Sequence, residues 1–344
     1  MILNTLKHRF REGFPQLYNR LQRLRWMPHR YVDKVTNSDY NFHEWRARLT
    51  RFHRERLRVE SEVGYYPNLR DPKTFNEKIL WKKAYVRDPL LTLTADKYAV
   101  RDYIRDKLGQ QQARQLLVSL LHVVSSPDDL SLDALTPPYV IKTNHGSGFN
   151  LFVKDRNSEG QFLISYEDTE PQLWTESQIK SQLRKWLSTT YGFRSHQWAY
   201  IDINKKVLVE QFIEDRIGSK LTSIKAWCFN GEPSHLNIVC SIDGTPSISF
   251  VTLDFDIIDG KYCGYPTVPS TIIRDISIRL DSSTLSDYSK KLSEPFSFCR
   301  VDFYLSGRSL LFSEITHYPH NGAIYFEGCD QDLDAEFGKQ WTLP

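Results

Sequence analysis

Three charged residues near the C-terminus have the types and spacing of a metal and phosphate site. Arg300 and Asp302 lie in FSFCRVDFYLSGRSLLFSEI, which predicts a hairpin of two alternating strands around Ser306-Gly307. Side chains alternate along a strand, so Arg300 and Asp302 share a face, and the hairpin brings Glu314 roughly opposite Asp302. Paired carboxylates suit Mg²⁺, which takes oxygen ligands, and a neighbouring arginine can hold a phosphoryl oxygen. The alternative is a solvated sheet face without a ligand.

A second candidate site lies in PPYVIKTNHGSGFNLFVKD, where an apolar, β-prone run leads to Lys142. A polar loop with Gly146 and Gly148 follows, and then a second alternating run. A P-loop has the reverse order, with glycines before the lysine and a helix after it, so this stretch is not a P-loop. Glycines allow a backbone to approach phosphates closely. The alternatives are a surface lysine on an edge strand and a loop without a ligand.

The segment before this loop predicts helices. Asp71–Leu108 has helical spacing, and Thr74 with Glu77 forms a candidate capping box. Within this segment, Asp96–Lys107 predicts a helix that ends at Gly109, because glycine commonly terminates helices.

The segment after Pro137 predicts a compact β-β-α-β unit that extends to Asp215. Its helix, Thr175–Leu187, begins with a candidate capping box of Thr175 and Gln178, and its third strand is KVLVEQFIED (Lys205–Asp215). Beyond Ser219 we expect mostly strands, namely SIKAWCFNG, HLNIVCSI, SISFVTLDF and the terminal hairpin.

Composition indicates a globular protein. The 344 residues are 40% hydrophobic and 25% charged, which allows a large core and roughly two domains. No apolar run approaches the ~20 residues of a membrane span, and the N-terminus does not resemble a signal peptide, so we expect a cytoplasmic protein. The five cysteines are odd in number and lack a CxxC, which favours buried thiols over a zinc or disulfide site.

The net charge of +3 is unevenly distributed along the chain. Residues 1–60 contain 14 Lys/Arg and 6 Asp/Glu, which leaves the remainder acidic. Leu6–Trp26 and Phe42–Arg58 predict basic helices with interleaved leucines and aromatics. These helices are a solvated extension packed on the main body, or they attach to an anionic membrane face, an acidic polymer or a partner enzyme. Nucleic acid is not an expected partner, because no nucleic-acid motif is present.

Together, the strand lysine, the glycine loop, the VLVEQFI strand and the distal carboxylate hairpin resemble an ATP-grasp enzyme. That resemblance implies an α+β fold in which two α+β lobes clamp ATP and carboxylates on the hairpin carry Mg²⁺. RVDFY and LFSEIT resemble the Arg-x-Asp and Glu-x-Asn strands of the D-alanine–D-alanine ligase branch. The one departure is Thr316 in place of the asparagine, which leaves a second metal open.

A closer resemblance covers nearly everything after residue 60. The phrases GYYPNLRDPKTFNEKILW, ADKYAVRDYI, VIKTNHGSGFN, VLVEQFI, SIKAWCFNGEP and VDFY…SEIT…G are similar, in order, to the TupA-like ATP-grasp family. Members of that family modify polysaccharides, and some are named for teichuronopeptide synthesis. Six motifs in the same order make the family resemblance stronger than any single motif.

The resemblance implies a role for each candidate residue. Lys142 contacts the α- and β-phosphates, Arg101 provides a further phosphate-binding cation and Lys225 binds the γ-phosphate, while Arg300 assists phosphoryl transfer. The implied lid over the phosphates consists of Asn144, His145, Gly146, Ser147 and Gly148. The implied adenine hinge consists of Glu210, Gln211, Phe212 and Ile213. The implied Mg²⁺ ligands are Asp302, Glu314 and Thr316. His317 and His320, just beyond them, are candidates for the acceptor pocket.

The resemblance also implies four regions. They are a basic helical N-terminal extension (1–60), an N-terminal α/β region (61–136), the small ATP-grasp lobe with the lid (137–215) and the large lobe with the metal hairpin (216–344).

The implied activity is ATP- and Mg²⁺-dependent ligation of a carboxylate to an amine through an acyl phosphate. The implied substrates are a uronic acid of a surface glycan such as capsule or O-antigen, and an amino acid or small amine. Contact of residues 1–60 with the membrane face or with a glycan-assembly complex is the further expectation. A glycan phosphotransferase using the same ATP site is an alternative, and a glycosyltransferase is another.

Overall fold

The computed structural model describes residues 37–166, 170–213, 221–328 and 332–344, so the predicted helix Leu6–Trp26 and Cys329 lie outside the described residues. The helices in these ranges are α1 (Asn37–Leu49), α2 (His53–Val63), α3 (Phe75–Tyr85), α4 (Pro89–Ala95), α5 (Val100–Leu116), α6 (Glu176–Ser188), α7 (Ser270–Arg279), α8 (Ser282–Ser293) and α9 (Leu333–Gln340). The strands are β1 (Leu120–Val124), β2 (Tyr139–Thr143), β3 (Asn150–Arg156), β4 (Phe162–Tyr166), β5 (Gln172–Trp174), β6 (Val207–Gln211), β7 (Ser223–Phe229), β8 (Glu232–Ile242), β9 (Thr245–Thr252), β10 (Ile257–Ile258), β11 (Lys261–Tyr262), β12 (Phe298–Ser306), β13 (Ser309–Thr316) and β14 (Phe326–Glu327).

Two antiparallel six-stranded sheets form the framework. The first, called the loop sheet here, has the order β1-β6-β2-β3-β4-β5 and carries Lys142 and the glycine loop. The second, called the hairpin sheet, has the order β10-β9-β8-β7-β12-β13 and carries the terminal hairpin. A small third sheet pairs β11 with β14. β1, which precedes residue 137, pairs with β6 and so belongs to the loop sheet.

Both sheets pack against helices. The apolar face of α6 buries Ile179, Leu183 and Trp186 against the loop sheet, and the predicted Thr175–Gln178 capping box begins this helix. The hairpin sheet packs on α3, where the Phe75 ring lies 4.9 Å from those of Trp227 and Phe298. Both aromatic strand residues are fully buried, so this cluster fixes α3 against the middle of the sheet.

The single helix predicted over Phe42–Arg58 is instead two helices, α1 and α2, with a break between them. α1 ends at Leu49, and Arg51 and Phe52 take left-handed backbone angles of φ 50° and φ 55° before α2 begins. Phe52 is only 2% exposed, so burial of its ring holds the chain in this unfavourable conformation. The turn folds α2 back, which brings it beside α3.

The structure differs from the secondary-structure predictions in two further places. Gly109, with non-helical angles of φ 77° and ψ 161°, ends the first helical segment of α5 as predicted, but a second segment follows directly and runs to Leu116. Within the described residues, the region beyond Ser219 also contains three helices in addition to strands. Two of them, α7 and α8, have the sequences STIIRDISIR and SSTLSDYSKKLS, whose many Ile, Ser and Thr residues are weak helix formers. Burial of one apolar face overrides that weak propensity.

The predicted burial of the thiols is confirmed for Cys228, Cys240 and Cys299, and Cys263 is partly buried. None of these four described cysteines forms a disulfide. None of the described helices has the length and hydrophobicity needed to span a membrane.

Candidate active site

The strand register aligns three charged residues across the hairpin sheet. Asp302 on β12 pairs with Glu314 on β13, as the sequence predicts, and with Lys225 on β7. Residues directly opposite each other on adjacent strands project from the same face, so the three side chains form one row. Lys225 Nζ lies 3.5 Å from Asp302 Oδ2, which completes a cation–carboxylate–carboxylate arrangement.

Arg300 holds Asp302 in a bidentate ion pair. Its Nε and Nη2 donate to the two carboxylate oxygens at 2.7 Å each, and both side chains are buried. Burial alone would lower the pKa of Arg300, but the Asp302 carboxylate raises it above its ordinary value. Nη2 also donates to Thr316 Oγ1 at 3.3 Å, and that hydroxyl donates to Glu314 Oε1 at 3.2 Å. Thr316 therefore lies beside both carboxylates. Its role as a metal ligand stays a prediction.

The pKa values of Glu314 and Lys225 are both lowered, but for different reasons. Burial acts to raise the pKa of Glu314, but the cations of Lys97 and Lys225 lower it to about 2. Burial lowers the pKa of Lys225, and the neighbouring Arg300 cation lowers it further. Glu314 is thus held ionised, as a metal ligand must be, while Lys225 is a partly desolvated cation facing Asp302.

Lys142 forms an ion pair within the loop sheet. Its Nζ lies 2.5 Å from Glu210 Oε2, and Arg101 Nη1 lies 3.9 Å from the other oxygen of the same carboxylate. Arg101 also donates to the carbonyl of Val118 at 2.8 Å. Two cations on one buried carboxylate leave an excess positive charge, which is the electrostatic environment that phosphate oxygens require. The arrangement brings three predicted cofactor residues together.

The first two residues of the predicted lid point into the protein. Asn144 Nδ2 donates to Asp96 Oδ1 at 2.8 Å, and its Oδ1 accepts from the Lys206 amide at 2.7 Å. His145 Nε2 lies 3.1 Å and 3.2 Å from the carbonyl oxygens of Trp186 and Thr189, at the end of α6. Burial lowers the pKa of His145 to about 4, so the imidazole is a neutral donor at pH 7. Both side chains position the loop, and their predicted contact with nucleotide stays a prediction.

The tip of the lid consists of the next three residues. Ser147 and Gly148 are exposed, and Gly148 has φ 82°. A Cβ on Gly146 would lie 2.8 Å from the Phe149 ring and 3.2 Å from Tyr191, so only glycine fits there without displacing an aromatic ring. The loop is therefore closely packed at its base and open to solvent at its tip, which is suitable for backbone contact with a phosphate.

Lys97 links the two sheets, and sequence reasoning assigned it no role. Its Nζ donates to the carbonyl of Gly146 at 2.7 Å and lies 3.0 Å from Glu314 Oε2. It lies in the motif ADKYAVRDYI, where the family resemblance implies a phosphate-binding role only for Arg101. In the sequence, only the charge of Lys97 beside Asp96 could have indicated a role for it. Its contact with Glu314 spans more than 200 residues of chain and leaves no local pattern.

The predicted adenine hinge lies at the end of β6. Gln211 donates its amide to the carbonyl of Ser119 at 3.0 Å and is exposed, and Phe212 and Ile213 follow, both partly buried. The side chain of Glu210 forms the ion pair with Lys142. Residues 214–220 lie outside the described part of the chain, so hinge contacts with a base stay a prediction.

A cavity of about 940 Å³ lies between the lid and the hairpin. Members of the charged row and the lid line it, including Lys225, Arg300, Glu314 and Gly146. Of the two candidate histidines, His320 lines this cavity, whereas His317 is fully buried elsewhere with Nε2 2.8 Å from Thr94 Oγ1.

The donor set at the row fits Mg²⁺. Asp302 and Glu314 supply hard oxygen atoms, and an ionised carboxylate offers about four acceptor positions, so capacity remains beyond the neighbouring cations. Within the described ranges, no group of three or more His, Cys, Asp or Glu side chains could hold a metal alone. The set therefore fits an ion that completes its shell with phosphate oxygens and water.

Comparison with protein families identifies the family of this chain. The model of the TupA-like ATP-grasp family matches residues 77–342. The chain belongs to the TupA-like ATP-grasp family. The predicted family and the α+β ATP-grasp fold class are confirmed. Comparison with curated proteins gave no significant match.

Solved structures similar to this TupA-like protein include ATP-grasp ligases. D-alanine–D-alanine ligase from Bacillus anthracis complexed with ATP has 13% identity and a TM-score of 0.33, with 66% of this chain and 55% of that chain covered. The same enzyme from Helicobacter pylori has 13% identity and a TM-score of 0.34, with 78% and 65% covered. N5-carboxyaminoimidazole ribonucleotide synthetase from Thermus thermophilus has 13% identity and a TM-score of 0.32, with 76% and 52% covered. This chain spans less than two thirds of each of these structures, so the assignment depends on the family match.

Proposed function

We propose that this TupA-like protein is an ADP-forming ligase that joins a carboxylate to an amine. The observation that carries the proposal is the row of Lys225, Asp302 and Glu314 across three adjacent strands, facing the glycine loop through Lys97. The row combines metal-ligating carboxylates with cations beside a loop able to bind phosphate. The described cavity residues include no Ser/His/Asp or Cys/His arrangement for covalent catalysis, so positioning and electrostatics must account for the chemistry.

The proposed reaction has two steps. An oxygen of the acceptor carboxylate forms a bond to the terminal phosphorus of ATP while the bond from that phosphorus to ADP breaks, which yields an acyl phosphate. The amine nitrogen then attacks the acyl carbon, inorganic phosphate leaves, and the nitrogen loses a proton to give an amide. Both steps pass through transition states with developing negative charge on oxygen.

The chain's own residues supply the charge and the geometry. Lys142 and Arg101 would hold the α- and β-phosphates, because together they exceed the charge of Glu210. Lys225 would contact the transferring phosphoryl group, and burial makes its cation more effective there. Arg300 orients Asp302 through its bidentate pair and presents the remaining positive charge to the cavity.

Asp302 and Glu314 would hold Mg²⁺, with Thr316 as the third predicted ligand. When bound, the metal neutralises phosphate charge and aligns the terminal phosphoryl group for in-line attack. The low pKa of Glu314 keeps this ligand deprotonated throughout the physiological range.

The acceptor we propose is a uronic acid of a surface glycan, joined to an amino acid or small amine. The cationic cavity supports an acidic acceptor, since six arginine and lysine side chains line it against two carboxylates. The basic residues 1–60 would bring the protein to an acidic glycan or to an anionic membrane face, where they gain electrostatic attraction.

The proposal is tested by incubating the protein with ATP, Mg²⁺, trigalacturonate and a panel of amines including hydroxylamine. We expect ADP and phosphate in equal amounts and, with hydroxylamine, a galacturonyl hydroxamate that reports the acyl phosphate. Asp302→Asn should abolish turnover and retain much of the ATP-dependent thermal stabilisation. Formation of AMP, or turnover with no need for an amine, would exclude the ligase.

The same assay separates the alternatives. A glycan phosphotransferase would give a stable phosphorylated sugar and ADP in the absence of any amine. A glycosyltransferase would be stabilised thermally by sugar nucleotides and not by ATP with Mg²⁺.

A further inference from the structure

Helix α2 forms a wall of the active-site cavity, although it precedes the residues matched by the family. The match begins at residue 77, whereas Arg54, Leu57, Arg58 and Ser61 line the cavity from α2. The opposite part of the lining includes Lys225 and Glu314 of the charged row, together with Arg300. A substrate that fills the cavity therefore contacts both the row and the N-terminal extension.

A buried network fixes α2 relative to β13, the strand that carries Glu314. Lys83 is fully buried, and its Nζ lies 3.0 Å from Glu55 Oε2 and 2.5 Å from Asn321 Oδ1. Arg58 Nη2 donates to the carbonyl of Asn321 at 2.6 Å. Asn321 has φ 58° and follows β13 by five residues, so its strained turn is held by contacts to α2 and α3. The position of α2 is thereby coupled to the strand that carries Glu314.

The wall has more positive than negative charge. Glu55 is a single carboxylate shared by Lys83 and by Arg58, whose Nε lies 3.3 Å away, so this trio is net positive. Arg54 is exposed at the cavity and has no carboxylate partner among the residues that the structure describes. Burial lowers the pKa of His43, and the nearby arginines, Arg54 among them, lower it further. Several cations are thus concentrated on this wall.

The loop of residues 191–197 completes the wall with groups suited to a sugar. The His43 ring stacks on those of His196 and Phe193 at 4.3 Å and 4.7 Å, which docks the loop on α1. Tyr191, Phe193, Ser195 and Gln197 line the cavity from this loop. Aromatic faces with hydroxyl and amide groups contact the apolar faces and hydroxyls of a pyranose ring. A polyphosphate has no apolar face, so it would not pack on those aromatic rings.

We propose that α2 and the loop of residues 191–197 form a subsite for a second anionic residue of the acceptor, so that the substrate is an oligo- or polyuronate rather than a single uronic acid. One carboxylate would react at the Lys225 row while a neighbouring uronate is held by Arg54 and Arg58. This inference rests on the proposed function for the identity of the reacting group. The subsite itself is a binding property and can be measured without turnover.

The test is isothermal titration of the full-length protein with trigalacturonate, galacturonate, maltotriose and tripolyphosphate. We expect trigalacturonate to bind more tightly than galacturonate, and maltotriose not to bind. Arg54→Glu should weaken trigalacturonate binding by about tenfold and leave galacturonate nearly unchanged, because only the longer ligand reaches α2. Arg274→Glu, which makes the same charge change on the exposed face of α7, is the matched control and should bind like the wild type.

Several results would overturn the subsite. They are absence of trigalacturonate binding, equal binding of maltotriose, preference for tripolyphosphate, or an equal loss in Arg54→Glu and Arg274→Glu. Thermal stabilisation by ATP with Mg²⁺ should be the same in both variants, which shows that the fold and the nucleotide site are intact. If trigalacturonate binds as expected but no ADP forms with any amine, the ligase proposal fails and the subsite stands.

Discussion

Lys97 and Glu314 form an ion pair of 3.0 Å that joins the glycine loop to the terminal hairpin. The same ammonium donates to the carbonyl of Gly146, so a single side chain sets the separation of the loop from the carboxylates. In the proposed reaction, phosphoryl transfer would depend on that separation, because the phosphates would contact both parts at once.

Replacement of Lys97 by Met should therefore reduce turnover more than it reduces stability. We expect ADP formation to fall by about 100-fold, because a loop misplaced by ~1 Å has an effect of that order. The pKa of Glu314 should also rise, because burial would be less opposed. Lys107→Met, which removes a surface pair with Glu294, is the control and should retain full activity. Unchanged turnover in Lys97→Met would show that the bridge has no role in catalysis.

Lys142→Ala tests the phosphate-binding role of the loop sheet. The substitution removes the cation nearest Glu210, so the carboxylate would then repel phosphate. We expect the rise in melting temperature produced by ATP with Mg²⁺ to be lost. Lys154→Ala, on the exposed face of β3, should keep that rise. A normal shift in Lys142→Ala would contradict the assignment of this lysine.

Gly146→Ala should distort the lid through steric overlap with Phe149. The added methyl group would lie 2.8 Å from the ring, so the loop or the ring must move. Overpacking of this kind costs about 1–3 kcal/mol. Urea unfolding should show that loss together with weaker ATP binding, while Ser147→Ala at the exposed tip should be as stable as the wild type.

Lys83→Met should destabilise the fold through Glu55. The substitution leaves the buried carboxylate with Arg58 at 3.3 Å as its remaining cation, and breaking a buried pair costs about 3–5 kcal/mol. The double variant Glu55→Gln/Lys83→Met should recover part of the loss, because a neutral amide costs less to bury than a carboxylate that has lost its nearer cation, and Arg58 is partly exposed to solvent. Urea unfolding at pH 7 measures both. A double variant less stable than Lys83→Met would show that the charge of Glu55 is not the cause.

Buried histidines should make the protein less stable as the pH falls from 6.5 to 4. Burial lowers the pKa of His145 and of His196 to about 4. In this window the unfolded chain binds protons that the folded chain does not, so acidification favours unfolding. His196→Gln should flatten that part of the stability–pH curve, which urea unfolding at pH 7, 5.5 and 4.5 would show. An unchanged slope would place the titrating groups elsewhere.

Predictions that depended on neighbouring residues in sequence were the most successful. The pairing of Asp302 with Glu314 follows from the length of one hairpin, and both capping boxes involve residues three positions apart. The helices α7 and α8 were missed because their β-branched and serine-rich sequences indicate strands or loops. They form helices because the hairpin sheet supplies an apolar surface, which local propensity does not encode.

The sequence alone was sufficient for the family, which its ordered motifs resemble, and for the face shared by Arg300 and Asp302, which depends on local periodicity. Tertiary structure decided the direction of each polar side chain and the partners of the cations. Lys97 meets Glu314, and Arg58 meets Asn321, across more than 200 residues of chain. Such contacts arise only when separate sheets and helices pack together, since packing, rather than spacing along the chain, determines which buried charges must neutralise each other.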